Sequence, residues 1–276
     1  MPQLVNKFPA LVSLAAMVCT AACQSWPGLA EPVMTLSPQL SLLRPTGDTR
    51  MGPTPGHTNA SQRLRRLGVT DRDEGIGGKL TYGDEDGIAG FEFEYLKLEF
   101  HDDPGTTTSD WGAIPAFAAT DARLHLEEYR LRYLVDVLDY KHEDTGTWFK
   151  AGVGLQLNHR ELRLTVTDIG TSSAQRLEAR DIASPQAAVR LAGGRGPVAL
   201  TADLAINGGW ELGSRDLEGS YYDFSVLASY TLEGQDLALY GGYRRFQIRA
   251  EGHSDTQLYD LDFTFDGWVL GVRFTF

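Results

Sequence analysis

The sequence predicts an all-β protein, an antiparallel up-and-down barrel, and three observations support this. From about Gly75 onward, apolar and polar residues alternate in runs that are separated by Gly, Asp, Asn and Pro, as strands and turns do. Short connections alternate with longer polar ones. The final run, GWVLGVRFTF, keeps its alternation as far as Phe276. A strand this regular would be an exposed edge unless it paired on both sides, which a closed barrel provides.

Composition narrows the class of protein. The 276 residues include 37 acidic and 25 basic side chains, and the formal net charge is -12. This acidic balance disfavours nucleic acid as a partner, because nucleic acids bind basic surfaces. No run after the N-terminal segment reaches the roughly 18 apolar residues that a membrane-spanning helix needs.

The N-terminal segment has the pattern of a secretory signal peptide. Lys7 precedes the apolar ALVSLAAMV and the small residues CTAAC, which predicts a signal peptide over 1–22, with 30 as the latest end. Cys19 and Cys23 both lie here, so we expect no disulfide framework in the mature protein. The TAAC stretch resembles a bacterial lipobox, which would place a lipid anchor on Cys23. The alternative, which we favour, is ordinary cleavage.

The rest of the chain divides into two parts. Residues 23–74 are rich in Pro, Gly, Ser and Thr and lack sustained periodicity, so we expect a flexible leader there. The barrel would occupy 75–276, where eight alternating runs predict eight strands. Ten strands is the alternative, if IGGKLTY is also a strand and Asp266–Gly267 is a hairpin turn.

Alternation alone does not show which face lines the barrel. A soluble barrel that binds an apolar ligand would turn its apolar face inward, whereas a membrane barrel does the reverse. The apolar runs cover about nine residues, which at roughly 3.3 Å per residue and a tilt of about 40° approach the ~25 Å apolar band of membrane barrels. Aromatic residues near the run ends suit interfacial girdles, and they include Tyr140, Trp148, Phe149, Tyr222 and Trp268. These features favour a transmembrane barrel.

Two stretches fit the alternation badly. Between residues 91 and 100 the apolar positions shift from Phe91, Phe93 and Tyr95 to Leu96, Leu98 and Phe100, for which we expect a β-bulge. Arg244 and Arg245 are adjacent, so one of them faces outward.

The closing residues carry a resemblance to a known family. With Phe276 last, Phe274 two positions earlier and apolar positions back to Trp268, the chain resembles small bacterial outer-membrane β-barrel proteins of the eight-stranded type, over about residues 75–276. The resemblance implies that Trp268, Phe274 and Phe276 form the assembly signal. It also implies a bacterial outer-membrane location, with the lipid bilayer, lipopolysaccharide and the barrel-assembly machinery as partners of a monomer. A structural or surface-interaction role without catalysis follows, with no nucleic acid and no cofactor.

The polar face supplies charges to the predicted interior. We expect them to form a paired polar core, because unpaired charges in a dry interior are costly. A small gated, porin-like conduit or a polar ligand site is the sharper alternative. The predicted inward charges are Glu128, Arg130, Arg132, Asp136, Lys150, Asp203 and Arg273, with Glu92, Glu94, Arg190, Asp223 and Arg245 beside them.

The histidines are the candidates for chemistry. His101, His125 and His253 lie near strand ends with carboxylates nearby and are weak candidates for metal ligands. His125 or His159 could instead activate a serine such as Ser172, Ser173 or Ser184, as in a deacylase-like, rim-sited, lipid-modifying enzyme. The pattern matches no known motif, so we expect no catalytic, cofactor or metal site. The loop HDDPGTTTSDWGAIPAFAATD carries Trp111 and Phe117, which either form a binding surface or fold over the barrel mouth.

Overall fold

A computed structural model describes residues 32–52, 59–70, 73–84, 88–101, 103–207, 221–254 and 257–276. The predicted signal peptide, the cleavage sites and Cys23 lie outside these residues. The strands of the described part are β1 (Val33–Gly52), β2 (Gln62–Arg63), β3 (Asp73–Gly83), β4 (Gly90–His101), β5 (Gly105–Thr106), β6 (Ala119–His142), β7 (Thr147–Asp168), β8 (Ala174–Arg195), β9 (Val198–Asn207), β10 (Tyr221–Thr231), β11 (Leu237–Ser254) and β12 (Gln257–Thr275), and the helix is α1 (Leu64–Leu67).

The long strands form a closed antiparallel barrel. Each pairs with the next along the chain, and β12 pairs with β1 to complete the ring. The two-residue strands β2 and β5 are not part of this ring, and they pair with β1 and β6 respectively. The first and last strands are joined at their ends as well, since Phe276 N–H donates to the carbonyl of Met34 at 2.9 Å. No helix in the described part of the chain is long and apolar enough to cross a membrane.

The barrel has ten long strands, not the eight that we favoured from the sequence. IGGKLTY is indeed a strand, β3. Asp266–Gly267, however, is not a hairpin turn, because it lies inside β12, where Asp266 pairs with Arg44 and with Arg245. The tenth strand is β1. The alternative of ten strands was therefore correct in number, but it counted a hairpin at Asp266–Gly267 where the structure has β1.

Strand β1 corrects the predicted flexible leader. Residues 33–52 pair with β12 along most of their length and with β3 from Val33 to Leu43. The segment was misinterpreted because its inward side chains are small and polar, among them Ser37 and Ser41, and because it contains Pro38 and Pro45. Pro38 has no N–H to donate, and the β1–β12 ladder is interrupted there.

Including β1 also fixes which connections share an end of the barrel. We call the end that contains Val33 and Phe276 the lower end, and the opposite end the upper end. Antiparallel order then places the connections 84–89, 143–146, 196–197 and 232–236 at the lower end. The strand ends that flank the three longest connections lie at the upper end, as they do beside the long outer loops of membrane barrels, and they are Gly52 and Asp73, His101 and Ala119, and Asn207 and Tyr221.

The two faces of the wall exchange their character halfway up the barrel. On the lower half of β6, Leu131 and Val135 are exposed on the outside, while Arg130 is buried inside. On the upper half of the same strand, Leu124 is buried inside and Arg123 faces outward. The strand keeps the same side-chain parity from Thr120 to Val135. We call the height at which this exchange occurs the inversion level.

The inversion level explains the shift between residues 91 and 100. The expected bulge is absent, because β4 pairs residue by residue with β3 and β6 without a register shift. Instead, the inner positions change from Glu94 to Leu96, and the outer ones change from Tyr95 to Lys97. The described register shifts lie elsewhere, between Asp136 and Leu138 and between Arg160 and Leu162.

The upper half of the barrel is filled by apolar side chains. Phe246 stacks on Phe265 with ring centroids 4.9 Å apart, and Phe100 lies 5.9 Å from Phe265. Trp111 and Leu67, from the connections at the upper end, belong to the same buried cluster. We call residues 59–70 and 103–118 the cap, because their buried side chains close the core from above.

Hydrogen bonds tie the two parts of the cap together. Gln62 Nε2 donates to the carbonyl of Ser109 at 2.9 Å, and Gln62 Oε1 accepts from Thr108 N–H at 3.0 Å. The hydroxyl of Thr120 donates to the carbonyl of Leu67 at 3.0 Å. Phe117, in contrast, is 80% exposed on the same loop. The alternative in which the loop aromatics fold over the mouth is therefore confirmed for Trp111 only.

Strand lengths agree with a barrel that projects beyond a bilayer. Strand β6 has 24 residues and β7 has 22, whereas roughly 9–11 residues cross a membrane. The exposed apolar residues of the lower half form the outer belt of the barrel. The ring of Tyr129 lies beside those of Tyr95 and His159, at 5.1 and 6.2 Å, where this belt ends.

A pair of substitutions on β7 tests the position of the belt. Leu155 is 71% exposed within the belt, and Thr165 faces outward above it. We expect Leu155→Arg to lower the free energy of unfolding in lipid vesicles by about 2–4 kcal/mol, because it places a charge against lipid. Thr165→Arg should cost less than about 1 kcal/mol. Equal losses in urea-unfolding measurements would show that the inversion level is misplaced.

Candidate functional site

The interior of the lower half holds a network of buried charges. Its members are five carboxylates and five guanidinium groups, which point inward from seven of the ten long strands, β4 and β6 to β11. We call this set the inner charge network, and it comprises Glu92, Glu94, Glu128, Asp203, Asp223, Arg130, Arg132, Arg160, Arg190 and Arg244. Because the numbers of opposite charges are equal, the set is formally neutral, as a buried cluster of charges requires.

The part of the network just below the apolar core is organised by Arg244. Its guanidinium donates to Glu94 at 3.0 Å, to Glu128 at 3.2 Å and to Asp223 at 2.9 Å. The same guanidinium lies 4.8 Å from the centroid of the Phe246 ring, at the floor of the apolar core. Arg244 therefore joins the charged and the apolar layers of the interior.

Two further arginines complete this layer. Arg130 binds the same three carboxylates, at 2.9 Å to Glu94, at 3.4 Å to Glu128 and at shorter range to Asp223. Arg160 donates to Glu128 Oε1 through Nε at 2.9 Å and Nη2 at 2.7 Å. Hydrogen bonds to charged groups are the stronger kind, and here each carboxylate accepts several of them.

A second layer lies nearer the lower end. Arg132 contacts Asp203 at 2.8 Å and Glu92 at 3.5 Å, and Arg190 contacts the same two carboxylates at 2.7 and 2.8 Å. Lys79 lies 3.9 Å from Glu92 and 3.6 Å from Glu94, so it links the two layers.

Many of these contacts cross the lumen. Arg130 of β6 reaches Asp223 of β10, Arg190 of β8 reaches Glu92 of β4, and Arg244 of β11 reaches Glu94 of β4. An eight-stranded barrel is just filled by its side chains, and a ten-stranded one is wider. Long arginine side chains span this extra width. The described interior is consequently braced from wall to wall.

The predicted interior charges separate into three groups. Glu128, Arg130, Arg132 and Asp203 belong to the inner charge network. Lys150 lies lower, 3.2 Å from Asp84, and Arg273 lines a cavity near the lower end. Asp136 is exposed in β6, directly before the register shift, and does not belong to the inner charge network.

Sequence reasoning chose the wrong arginine of an adjacent pair and overlooked another. Arg244 is buried in the network, while Arg245 is exposed on the outer face. The parity of Leu239 and Tyr243, which Arg245 shares, could have shown this. Arg160 was missed because its strand was followed only as far as Asn158, although Arg160 has the inward parity of Lys150.

The candidate histidines lie on the outer face of β4, β6 and β7, above the belt. His101 Nε2 is 3.0 Å from Asp121 Oδ1, and His125 Nδ1 is 3.3 Å from Glu99 Oε1. His125 Nε2 is 3.9 Å from Glu127, and His159 Nε2 is 4.0 Å from Glu161. This outer face is an ionic surface above the belt.

These pairs do not assemble the predicted chemistry. Both ring nitrogens of His125 face carboxylates, so neither is directed at a serine. Ser172 lies in the turn after β7, and the side chains of Ser184 and His253 are outside the described set. Within the described residues, no group of three His, Cys, Asp or Glu side chains could hold a metal ion.

One carboxylate of this face, that of Glu99, is stabilised in its charged form. A hydrogen bond from Lys97, at 2.8 Å, is the main cause that lowers the pKa of Glu99, and the charge of His125 adds to it. The folded state gains from this charge above the ordinary pKa of a glutamate, and loses the gain on acidification. Glu99 is largely exposed, so the contribution to stability is small.

The fold resembles that of known outer-membrane proteins. The chain is similar in structure to the outer membrane protease OmpT from Escherichia coli, with a TM-score of 0.50 and 10% identity, covering 91% of this chain and 99% of that one. Weaker likenesses are the Pseudomonas putida toluene transporter TodX and the translocator domain of the autotransporter NalP from Neisseria meningitidis, with TM-scores of 0.30 and 0.32 and 11% identity each. Coverage is 88% of this chain and 90% of TodX, and 96% of this chain and 97% of the NalP domain. No family model and no curated protein sequence matches the chain.

At this level of identity, the comparison with OmpT establishes a fold and no activity. It agrees with what the molecule itself shows, a closed antiparallel ring with an apolar outer belt, polar ionic side chains inside the belt and long connections at one end. The protein has the fold and the surface of a bacterial outer-membrane β-barrel.

Two adjacent arginines provide a matched test of the inner charge network. We expect Arg244→Met to lower the free energy of unfolding by about 3–5 kcal/mol, because three buried carboxylates lose a shared cation. Arg245→Met changes the next residue, on the outer face, and should cost less than about 0.5 kcal/mol. Unfolding of the refolded protein in detergent micelles measures both. Similar losses would contradict the assigned parity.

Proposed function

We propose that the protein is a closed, non-conducting barrel of the outer membrane, whose role is structural or lies in surface interactions, without catalysis. The observation that carries this proposal is the dense packing of side chains over most of the height of the barrel interior. The inner charge network occupies the lower half, and an apolar core with its cap occupies the upper half. A pore would require a water-filled lumen, and this packing supports a barrel without one.

The belt supports a membrane location for the proposed role. Its exposed apolar residues face outward, as lipid-facing residues do, and the inner positions at the same height are charged. A soluble barrel that binds an apolar ligand would need inward apolar residues along the whole wall. Here, the inward apolar residues are restricted to the upper half, where they pack on one another.

The surface above the belt is where the proposed interactions would take place. It presents ion pairs on the wall, and Phe117 extends from the cap with a positive φ of 63°. Backbone hydrogen bonds hold this position, since Phe117 N–H donates to the Thr107 carbonyl at 3.1 Å. An exposed aromatic on a fixed loop is suited to binding. Lipopolysaccharide and the assembly machinery remain part of this proposal as partners, as does the assembly role of Trp268, Phe274 and Phe276.

Conductance measurements test the closed barrel directly. The folded protein, identified as the band that shifts on a denaturing gel only after boiling, is reconstituted into planar lipid bilayers. We expect no stepwise ion currents above those of a boiled sample, because the packed interior leaves no water-filled path. Reproducible current steps that follow the amount of folded protein would overturn the proposal.

The cap has its own matched pair of variants. Trp111 is fully buried, and Phe117 is mostly exposed on the same loop. We expect Trp111→Ala to lower the free energy of unfolding by about 3–5 kcal/mol, since it opens a cavity in the upper core. Phe117→Ala should change it by less than about 0.5 kcal/mol. Thermal unfolding in micelles compares them, and a small effect of Trp111→Ala would mean that the cap does not close the core.

A hydrolase is the second candidate, on one observation. His101 and Asp121 form a partly exposed pair at 3.0 Å, and the solved barrel of similar fold is a protease. The folded protein is incubated with unstructured peptides and with lipid esters, and we expect no cleavage. Cleavage that His101→Gln abolishes, while the lower-end variant His142→Gln leaves it intact, would replace the non-catalytic role by this one.

A further inference from the structure

A cavity of about 50 Å³ lies inside the barrel near its lower end, below the second layer of the inner charge network. Network residues Glu92, Arg190 and Asp203 line one side of it, and Arg273 of β12 lines another. Ser37, opposite Arg273 in the β1–β12 register, is also a lining residue, and this is where the ladder is interrupted. The cavity thus lies beside an interruption in the wall.

The cavity has an excess of positive charge. Lys79, Arg190 and Arg273 line it against the two carboxylates Glu92 and Asp203. Those carboxylates are already occupied, because each contacts both Arg132 and Arg190. Arg273 has no carboxylate within 4.0 Å among the residues that the structure describes, and its guanidinium carbon lies 5.9 Å from the centroid of the Tyr240 ring.

Such a cation needs a partner. A half-buried guanidinium carries five N–H donors, and leaving them without acceptors in a confined space is costly. Hydroxyl groups of Thr81, Thr201 and Ser229 line the same space and can donate further hydrogen bonds. The cavity volume is several times the volume that a single water molecule needs, so a small polyatomic ion fits in it.

We propose that this cavity binds a small oxyanion such as inorganic phosphate, held between Arg273 and Lys79. The anion would accept charge-assisted hydrogen bonds from both cations and balance the excess charge at the lower end of the lumen. The site is independent of the proposed function, because a closed barrel needs no anion and an anion site needs no surface partner.

Binding of phosphate to the folded protein tests the proposal. The protein is held in zwitterionic detergent and chloride-free buffer, and phosphate is titrated into it in a calorimeter. We expect saturable binding with one phosphate per barrel. Absence of saturable binding would overturn the proposal, and displacement of phosphate by equimolar chloride would overturn the assignment to an oxyanion.

Three variants locate the site. Arg273→Gln should weaken binding at least about 10-fold, since it removes a charged donor. Arg245→Gln removes an exposed outer arginine instead and should leave binding unchanged. Ser229→Leu fills the cavity without changing any charge and should abolish binding, which keeps the test decisive if Arg273→Gln fails to fold. Unchanged binding in both Arg273→Gln and Ser229→Leu would place the anion elsewhere and refute the inference.

Discussion

The structure depends on ion pairs that reach across the lumen. A ring of ten strands is held together locally by hydrogen bonds between neighbours, which do not determine the shape of its interior. Contacts such as Arg190 to Glu92 and Arg244 to Glu94 join strands on different sides of the ring. Charges buried in this way stabilise only as a complete set, because removal of one member leaves its partners unpaired. The side chains of the lower barrel are therefore joined into one set of contacts whose members depend on one another.

The inversion level follows from the two solvents that surround the wall. Against lipid, outward positions must be apolar, so the polar side chains lie inside and have to pair with one another. Above the lipid, outward positions meet water, and the interior can hold an ordinary apolar core. Arg244 and Phe246 mark the change within three consecutive residues of β11, since one closes the network and the other supports the core. The upper half therefore has an apolar core like that of a small globular protein.

Much of this architecture can be predicted from periodicity, but two features cannot. The closed antiparallel barrel, its outward belt and most of the inner charges follow from period-2 patterns. Strand β1 escaped detection because an inward face of Ser, Thr and Gln beside Pro38 has the composition of a loop. The pairing inside the network could not be predicted either. Partners such as Arg130 and Asp223 are far apart in sequence, and they meet because of the width and stagger of the barrel, which no local pattern encodes.

The inversion also protects the register of the strands. A slip of one residue moves every side chain to the opposite face. In the lower half, such a slip in β6 would place Arg132 against lipid, at a cost that rises to about 2–4 kcal/mol for a charge at the midplane. In the upper half of the same strand, it would expose Leu124 to water and bury Arg123. In the lower half of the strand the inward residues are charged, and in the upper half they are apolar. A one-residue slip is therefore unfavourable in both halves. The long strands thereby specify their pairing more strongly than a membrane span of ordinary length would, and the extension above the belt contributes to correct closure as well as to the surface that it presents.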